Sequence, residues 1–269
     1  MFPGALADRA DADYVVVGAP LDVSTTFQPG TRFGPDRIRR FSETFDDYDH
    51  RTGRHFTDLG VADHGDVRAW DDAEEYLDYL RGVCTDVVID DAVPLVLGGE
   101  HTVTLANVRA TDPDVFVCLD AHLDLRSAYD GNELSHATVT RHVLDVVDEA
   151  VVLGARTGSA DEWDRAGEAD VTVVPPEEVG DWDPDLGDGD VYCSVDIDGA
   201  DPAFAPGTGT MEPFGLEPRE LRDVVRAVGD TGQVVGFDVV EVNDRDDGQA
   251  AALGGKLLRE FVFADADSR

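Results

Sequence analysis

The chain has 269 residues, 42% of them hydrophobic, which is enough apolar material for one large α/β core and too much for a disordered chain. Its 58 acidic residues against 21 lysines and arginines leave a net charge of −37, which argues against nucleic acid or an anionic membrane as partner. The three cysteines, Cys84, Cys118 and Cys193, lie far apart with no Cys-x-x-Cys pair, so neither a zinc knuckle nor a thioredoxin-type redox site is expected.

In chain order, YVVVGAP (14–20) predicts the first strand, and the Gly/Pro-rich QPGTRFGPD (28–36) a loop. A helix over 71–90 leads to the strand VPLVLGG (93–99), a helix over 101–110 to VFVCLD (115–120), and a helix over 135–148 to AVVLGA (150–155). A helix over 160–168 then precedes VTVVP (171–175) and VYCSVDID (191–198). A second Gly/Pro-rich segment (202–216), a helix over 217–228, the strand QVVGFDVVEV (233–242) and a helix over 248–263 complete the series. The strands read as continuous apolar runs, as strands buried on both faces do. Their alternation with helices predicts a three-layer α/β/α fold with a central, mainly parallel sheet, as one domain over 1–269. No signal peptide opens the sequence and no apolar run reaches the length of a membrane span, so a soluble cytoplasmic protein is expected.

The acidity has two readings. Acids spread along the whole chain, with Lys256 as the only lysine, fit a surface adapted to high salt. A local site for a cationic ligand is compatible with it. Four strands end in unusual polar groups. VPLVLGG runs into Glu100 and His101, and VFVCL into Asp120, His122 and Asp124. VYCSV runs into Asp196 and Asp198, and QVVGF through Asp238 to Glu241. In a parallel sheet these groups share one edge, where open α/β sheets bind ligands. Residues two apart in an extended segment point to one side, so His101, Asp120, His122, Asp124, Asp196 and Asp198 are expected to converge. Two imidazoles and four carboxylates suit Mn²⁺, with Fe²⁺, Co²⁺ and Zn²⁺ as competitors, and bridging carboxylates hold two ions about 3.5–4 Å apart. Cations between them would explain why so many acids tolerate one another. An EF-hand loop, a phosphate-binding loop and a Gly-x-Ser-x-Gly elbow are all absent.

At these residues the chain resembles the ureohydrolase family, the arginase and agmatinase group, over almost its whole length. The resemblance rests on GAPLDVSTTFQPGTRFGPDRIR (18–39), GGEH (98–101), DAHLD (120–124), SHAT (135–138), SVDIDGADPAFAPGTGT (194–210) and EVN (241–243), in the family's order. It implies a binuclear manganese hydrolase that cleaves a guanidino group to urea and an amine. His101, Asp120, Asp124 and Asp196 would hold one Mn²⁺, and Asp120, His122, Asp196 and Asp198 the other. His136 would be the mobile catalytic histidine, Glu241 the acid that binds the guanidinium, and Asp124 a proton relay. A homotrimer or homohexamer follows from the same resemblance.

The chain departs from the family pattern at Glu100, where many relatives have Asp, and at Leu123, where a small residue is usual. Arg126 is an unusual pocket-side cation, and Asp244 replaces a common proline; both bear on substrate preference. The PGTRFGP block is agmatinase-like, so agmatine or aminopropyl-agmatine is the expected substrate, with an arginase, a guanidino-acid hydrolase or a formiminoglutamase as alternatives because Arg126 would suit a substrate carboxylate. A zinc deacetylase of related fold and a non-catalytic metal-binding relative are the readings from other classes. Asn132, Glu133 and Ser135 are candidates for lining the pocket.

Overall fold

The computed structural model of the protein describes all residues, 1–269. β1 (Tyr14–Ala19) leads to α1 (Gly34–Phe41), and a small hairpin of β2 (Tyr48–Asp49) and β3 (Arg54–His55) precedes β4 (Val61–Asp66). Then follow α2 (Ala73–Ile89), β5 (Val93–Gly98), α3 (Thr104–Thr111), β6 (Val115–Leu119), α4 (Val139–Val143), β7 (Glu149–Leu153), α5 (Ala160–Arg165) and β8 (Val171–Val174). α6 (Pro176–Val179), β9 (Val191–Asp196), α7 (Pro218–Gly229), β10 (Val234–Val240) and α8 (Gln249–Ser268) close the chain. No helix is long and apolar enough to cross a membrane.

Eight strands form one sheet in the order β4-β1-β5-β10-β9-β6-β7-β8, with every pairing parallel. Its two faces can be read from β1. Tyr14 and Val16 join a core with Ile38 of α1, Leu221 and Val225 of α7 and Phe261 of α8, while Val15, Val17 and Ala19 join another with Leu80 and Cys84 of α2 and Ala106 of α3. Both sides are therefore covered, which is why the strands read as unbroken apolar runs.

Several elements differ from the sequence expectation. β4 (VADHGD) carries too much polarity to read as a strand, because it is the sheet edge and its acids are used: Arg39 donates from Nε and Nη2 to Asp63, both at 2.9 Å. Charge on an edge also discourages pairing with another chain. α1 (GPDRIRRF) falls in a stretch that reads as loop. Pro35 sits in its first turn, where the missing N–H costs nothing, and Gly34 permits a close approach: a Cβ there would lie 2.5 Å from the Gly98 carbonyl oxygen and 2.7 Å from that of Val242. The helix expected over 135–148 is shorter, a 3-10 turn at His136–Thr138 followed by α4.

The topology positions the site. The chain passes from β5 to β6 across a gap that β9 and β10 fill later, so β5, β10, β9 and β6 are neighbours at the centre of the sheet. The crevice beyond the carboxyl ends of such strands, where the winding reverses, is where α/β sheets bind ligands.

Candidate metal centre and catalytic pocket

All six expected donors converge, in three groups at the carboxyl ends of β5, β6 and β9. After β5, Gly99 lets the backbone run against its neighbours: Glu100 N donates to the Leu21 carbonyl and Glu241 N to the Gly99 carbonyl, both at 2.9 Å. A Cβ on Gly99 would lie 2.3 Å from the Ala19 carbonyl oxygen, so this turn needs glycine and the turn delivers His101.

The reason for the convergence differs from simple strand alternation. β6 ends at Leu119, and Asp124 adopts the left-handed conformation (φ 53°), as does Glu241 after β10 (φ 61°). Non-glycine residues pay conformational energy there and hold it only where surroundings dictate it, as functional sites do. Asp196 ends β9, and Ile197–Gly199 turn as a 3-10 helix in which the Asp198 N–H donates to Asp196 Oδ1 at 2.8 Å. Arg156 staples this turn to the 212–213 loop, its guanidinium donating to the carbonyls of Asp198, Gly199, Glu212 and Pro213 at 2.7–3.2 Å.

The His101 Nδ1 lies 3.0 Å from Asp124 Oδ2, 3.3 Å from Asp120 Oδ2 and 3.5 Å from Asp196 Oδ2. The His122 Nδ1 lies 3.1 Å from Asp198 Oδ2 and 3.6 Å from Asp120 Oδ1. Asp120 thus turns one oxygen to each imidazole. A second layer sets the His101 tautomer. Ser194 Oγ gives its only proton to Asp238 Oδ1 (2.6 Å), so at 3.3 Å from His101 Nε2 it accepts from Nε2–H and leaves Nδ1 as the nitrogen that faces the carboxylates and is free for a cation once deprotonated. Asp238 is fully buried and is held by two further hydroxyls, Thr104 Oγ1 at 2.7 Å and Tyr192 OH at 2.5 Å. Cys118 also lies behind the His101 ring, 3.9 Å from Nε2, but burial pushes its thiol up to about 12, so it stays protonated and is a poor ligand.

The charges in this cluster are mutually dependent. Burial opposes a charged His122, yet Asp198 and Asp120 outweigh it and push the ring up to about 12; His101 is likewise raised by Asp120 and Asp124 against the cost of burial. Burial opposes the Asp120 carboxylate, yet the two imidazoles hold it well below the usual range. Burial and the neighbouring Asp198 and Asp120 charges raise Asp196, and burial with Asp120 takes Asp124 up to about 6. The raised imidazoles hold protons at neutral pH, and a cation that takes their Nδ1 lone pairs must displace them. Loading the metal-free protein with Mn²⁺ at pH 7.5 is therefore expected to release both imidazole protons, with affinity rising as pH rises. Calorimetric titration in two buffers of different ionisation enthalpy reads the release; identical heats in the two buffers would contradict it.

The cluster opens into a cavity of about 200 Å³ lined by Thr26, His122, Asp124, Arg126, Tyr129, His136, Thr157, Glu162, Asp196, Asp198 and Thr210, among others. His136 is buried, with Nδ1 3.5 Å from Glu241 Oε1; burial opposes its charge, but Glu241 takes it up to about 9. Glu241 Oε1 accepts from the His101 N–H at 2.8 Å, while Glu241 Oε2 is buried without any partner. A buried carboxylate oxygen is costly to leave unpaired, and a donor brought to it would offset that cost.

Arg126 reaches the cavity as expected but is matched there: its Nη2 is 3.0 Å from Glu162 Oε2, and its guanidinium lies over the Tyr129 ring at 5.3 Å. Asp244 is exposed and lies against Gly30, outside the cavity, so nothing ties it to substrate preference. Leu123 packs into the core with Leu125 and Val152, away from the donors. Asn132, Glu133 and Ser135 do not line the cavity; Ser135 caps the turn that carries His136. Thr26, Tyr129, Glu162 and Thr210 were missed as wall residues. The one available signal, Ser159-x-x-Glu162, reads as a helix capping box, which it also is.

The sequence profile of the Arginase family matches residues 12–264. An agmatinase from Bacillus cereus is 34% identical over 94% of this chain and 92% of that protein. An N(1)-aminopropylagmatine ureohydrolase from Thermococcus kodakarensis is 33% identical over 97% of this chain and 93% of that protein. The crystal structure of an agmatine ureohydrolase of Thermoplasma volcanium superposes with a TM-score of 0.90 at 34% identity, covering 98% of this chain and 93% of the other.

Proposed function

The chain belongs to the arginase family, and on that premise we propose that it is a binuclear manganese hydrolase, acting as one domain over 1–269, that cleaves agmatine or aminopropyl-agmatine to urea and a polyamine. The observation that carries the guanidino reading is the unpartnered Glu241 Oε2, a buried anion that faces no donor of its own chain. A guanidinium N–H would satisfy it with a charge-assisted hydrogen bond.

His101, Asp120, Asp124 and Asp196 would hold one cation and Asp120, His122, Asp196 and Asp198 the other. The donor set fits: two imidazoles turn Nδ1 into four buried carboxylates whose like charge needs a positive counterpart. Such a pair of ions, when bound, lowers the pKa of a shared water towards neutrality. Glu241 would fix the guanidinium carbon over the cluster, a proximity effect. His136, raised by Glu241 and thus cationic near neutral pH, would give its proton to the leaving amine, whose C–N bond breaks as it becomes neutral amine. Asp124, near His101 at the cavity wall, would relay a proton from the attacking water.

The Arg126–Glu162 pair supports a cationic substrate over an acidic one. Arg126 is the only arginine lining the cavity, and it is already opposed by a carboxylate, so the outer cavity presents a matched pair rather than a bare cation. Two imidazoles within the acid cluster favour a two-cation hydrolase over a single-zinc deacetylase. By family resemblance the same proposal includes a cytoplasmic enzyme of putrescine and polyamine synthesis assembled as a homotrimer or homohexamer, and the acidic, lysine-poor composition adds tolerance of high salt.

Urea release from agmatine, aminopropyl-agmatine, arginine and 4-guanidinobutyrate, compared at high salt with added Mn²⁺, tests the choice. Agmatine or its aminopropyl derivative is expected to give the highest kcat/KM. Arginine as the best substrate would overturn the choice.

A further inference from the structure

We infer that Thr26 is a positioning residue for proton transfer, holding the His136 imidazole in place, and that Glu100 acts through it by clamping the loop that carries Thr26. The inference rests on the reading of His136 as proton donor and adds to it the device that orients the ring.

The loop after β1 reaches His136 twice. Ser24 Oγ accepts from the His136 backbone N–H at 2.9 Å, and Thr26 Oγ1 lies 3.2 Å from His136 Nε2. The ring is thereby held between two groups, Thr26 at Nε2 and Glu241 Oε1 at Nδ1, 3.5 Å away. Glu241 only accepts, so the hydrogen facing it sits on Nδ1, and Nε2 is the nitrogen that gains and loses a proton. A hydroxyl suits that position because it serves both states. It accepts from Nε2–H while the ring is cationic, shares that hydrogen with the leaving nitrogen as the nitrogen approaches Nε2, and turns to donate to bare Nε2 once the proton has passed. Both His136 and Thr26 line the cavity, so the pair stands where the leaving group must be met.

The loop has its own anchor. Glu100 is fully buried and both its oxygens are committed: Oε2 accepts from the Val23 N–H (2.5 Å) and the Ser24 N–H (2.7 Å), and Oε1 from Ser24 Oγ (2.7 Å) and Thr102 Oγ1 (2.8 Å). Four donors on one carboxylate fix the backbone of residues 23–24 next to the turn that carries His101. Ser24 spends its proton on Glu100 and is left to accept from His136 N, which ties the His136 turn to the same anchor. Glu100 thus joins the start of the metal-site turn to the loop that seats the proton donor, a larger role than its place beside His101 suggests. The charged groups acting on His136 are Glu241, Asp124 and Glu100, and none of them is altered by a change at Thr26.

The test is Thr26→Val, which removes the hydroxyl and keeps the branched shape, compared with Thr26→Ser and with both changes made in a His136→Asn background. Misplacing a proton donor removes part of a contribution of about 10²- to 10⁴-fold. Thr26→Val is expected to lower kcat about tenfold or more with KM within about twofold, and Thr26→Ser to recover kcat to within about threefold. The alkaline limb of the kcat profile should move to lower pH, because Nε2–H loses its acceptor. In His136→Asn, Thr26→Val should change kcat no further. Wild-type kcat in Thr26→Val, or the same loss with and without His136, would overturn the inference. If the wild-type protein releases no urea from any of the four substrates, the hydrolase reading fails and the Thr26 role fails with it.

Discussion

Glu241→Gln is expected to lower kcat/KM for the guanidino substrate by about a thousandfold while leaving the bound metal unchanged. The side chain keeps its volume, and its carbonyl can still accept from the His101 N–H as Glu241 Oε1 does. The other atom changes sign: an amide N–H₂ replaces the unpartnered Oε2 and presents donors to donors. Loss of a buried, charge-assisted pair costs about 3–5 kcal/mol, which is a factor of roughly 10²–10³ or slightly more in rate. His136 also loses the anion that raises it, so its folded value drops towards the free imidazole and less of it is cationic at neutral pH. The alkaline limb of the rate profile should therefore move to lower pH. Unchanged kcat/KM would remove Glu241 from substrate binding.

Asp196→Asn is expected to have the second large effect, a loss of metal below one ion per chain and of urea release by about a thousandfold or more. Asp196 Oδ2 faces the His101 Nδ1 at 3.5 Å, and Oδ1 holds the Asp198 N–H at 2.8 Å. Asparagine can keep the second contact and loses the charge of the first, so the turn survives and the ligand does not. Stability should move the opposite way in the metal-free protein. Burial, Asp198 and Asp120 raise Asp196, so the folded state disfavours its charge. A carboxylate raised on folding costs stability as pH climbs from the unfolded value, about 3.9, towards the folded one. The asparagine has no such cost. Metal-free Asp196→Asn should then melt higher than metal-free wild type at neutral pH, and lower than wild type once Mn²⁺ is added. Equal metal content in the two proteins, read by elemental analysis, would contradict the first expectation.

The sheet was legible because its strands are covered on both faces, and β1, β5, β6 and β9 are buried at every position. β4 was not legible, since an edge strand whose acids serve Arg39 loses that pattern, and neither was α1, whose Gly34 and Pro35 look like loop residues while answering to a tight contact and a helix start. The donors were legible as residues, and the way they converge was not. Asp124 turns inward through a left-handed backbone and Asp198 through a 3-10 turn, and φ values are not written in residue spacing. The outer wall was least legible. Thr26 and Glu162 come from segments distant in sequence, and each has a local signature, loop or helix cap, that hides its place beside His136 or Arg126.

The most direct test of the two-cation centre is the number and position of transition-metal ions in the purified, Mn²⁺-supplemented protein, by elemental analysis and anomalous scattering from crystals. Two ions per chain are expected, one beside the His101 Nδ1 and one beside the His122 Nδ1, with Asp120 between them. A single ion, or none, in a fully folded protein under saturating Mn²⁺ would contradict the centre and the hydrolysis derived from it.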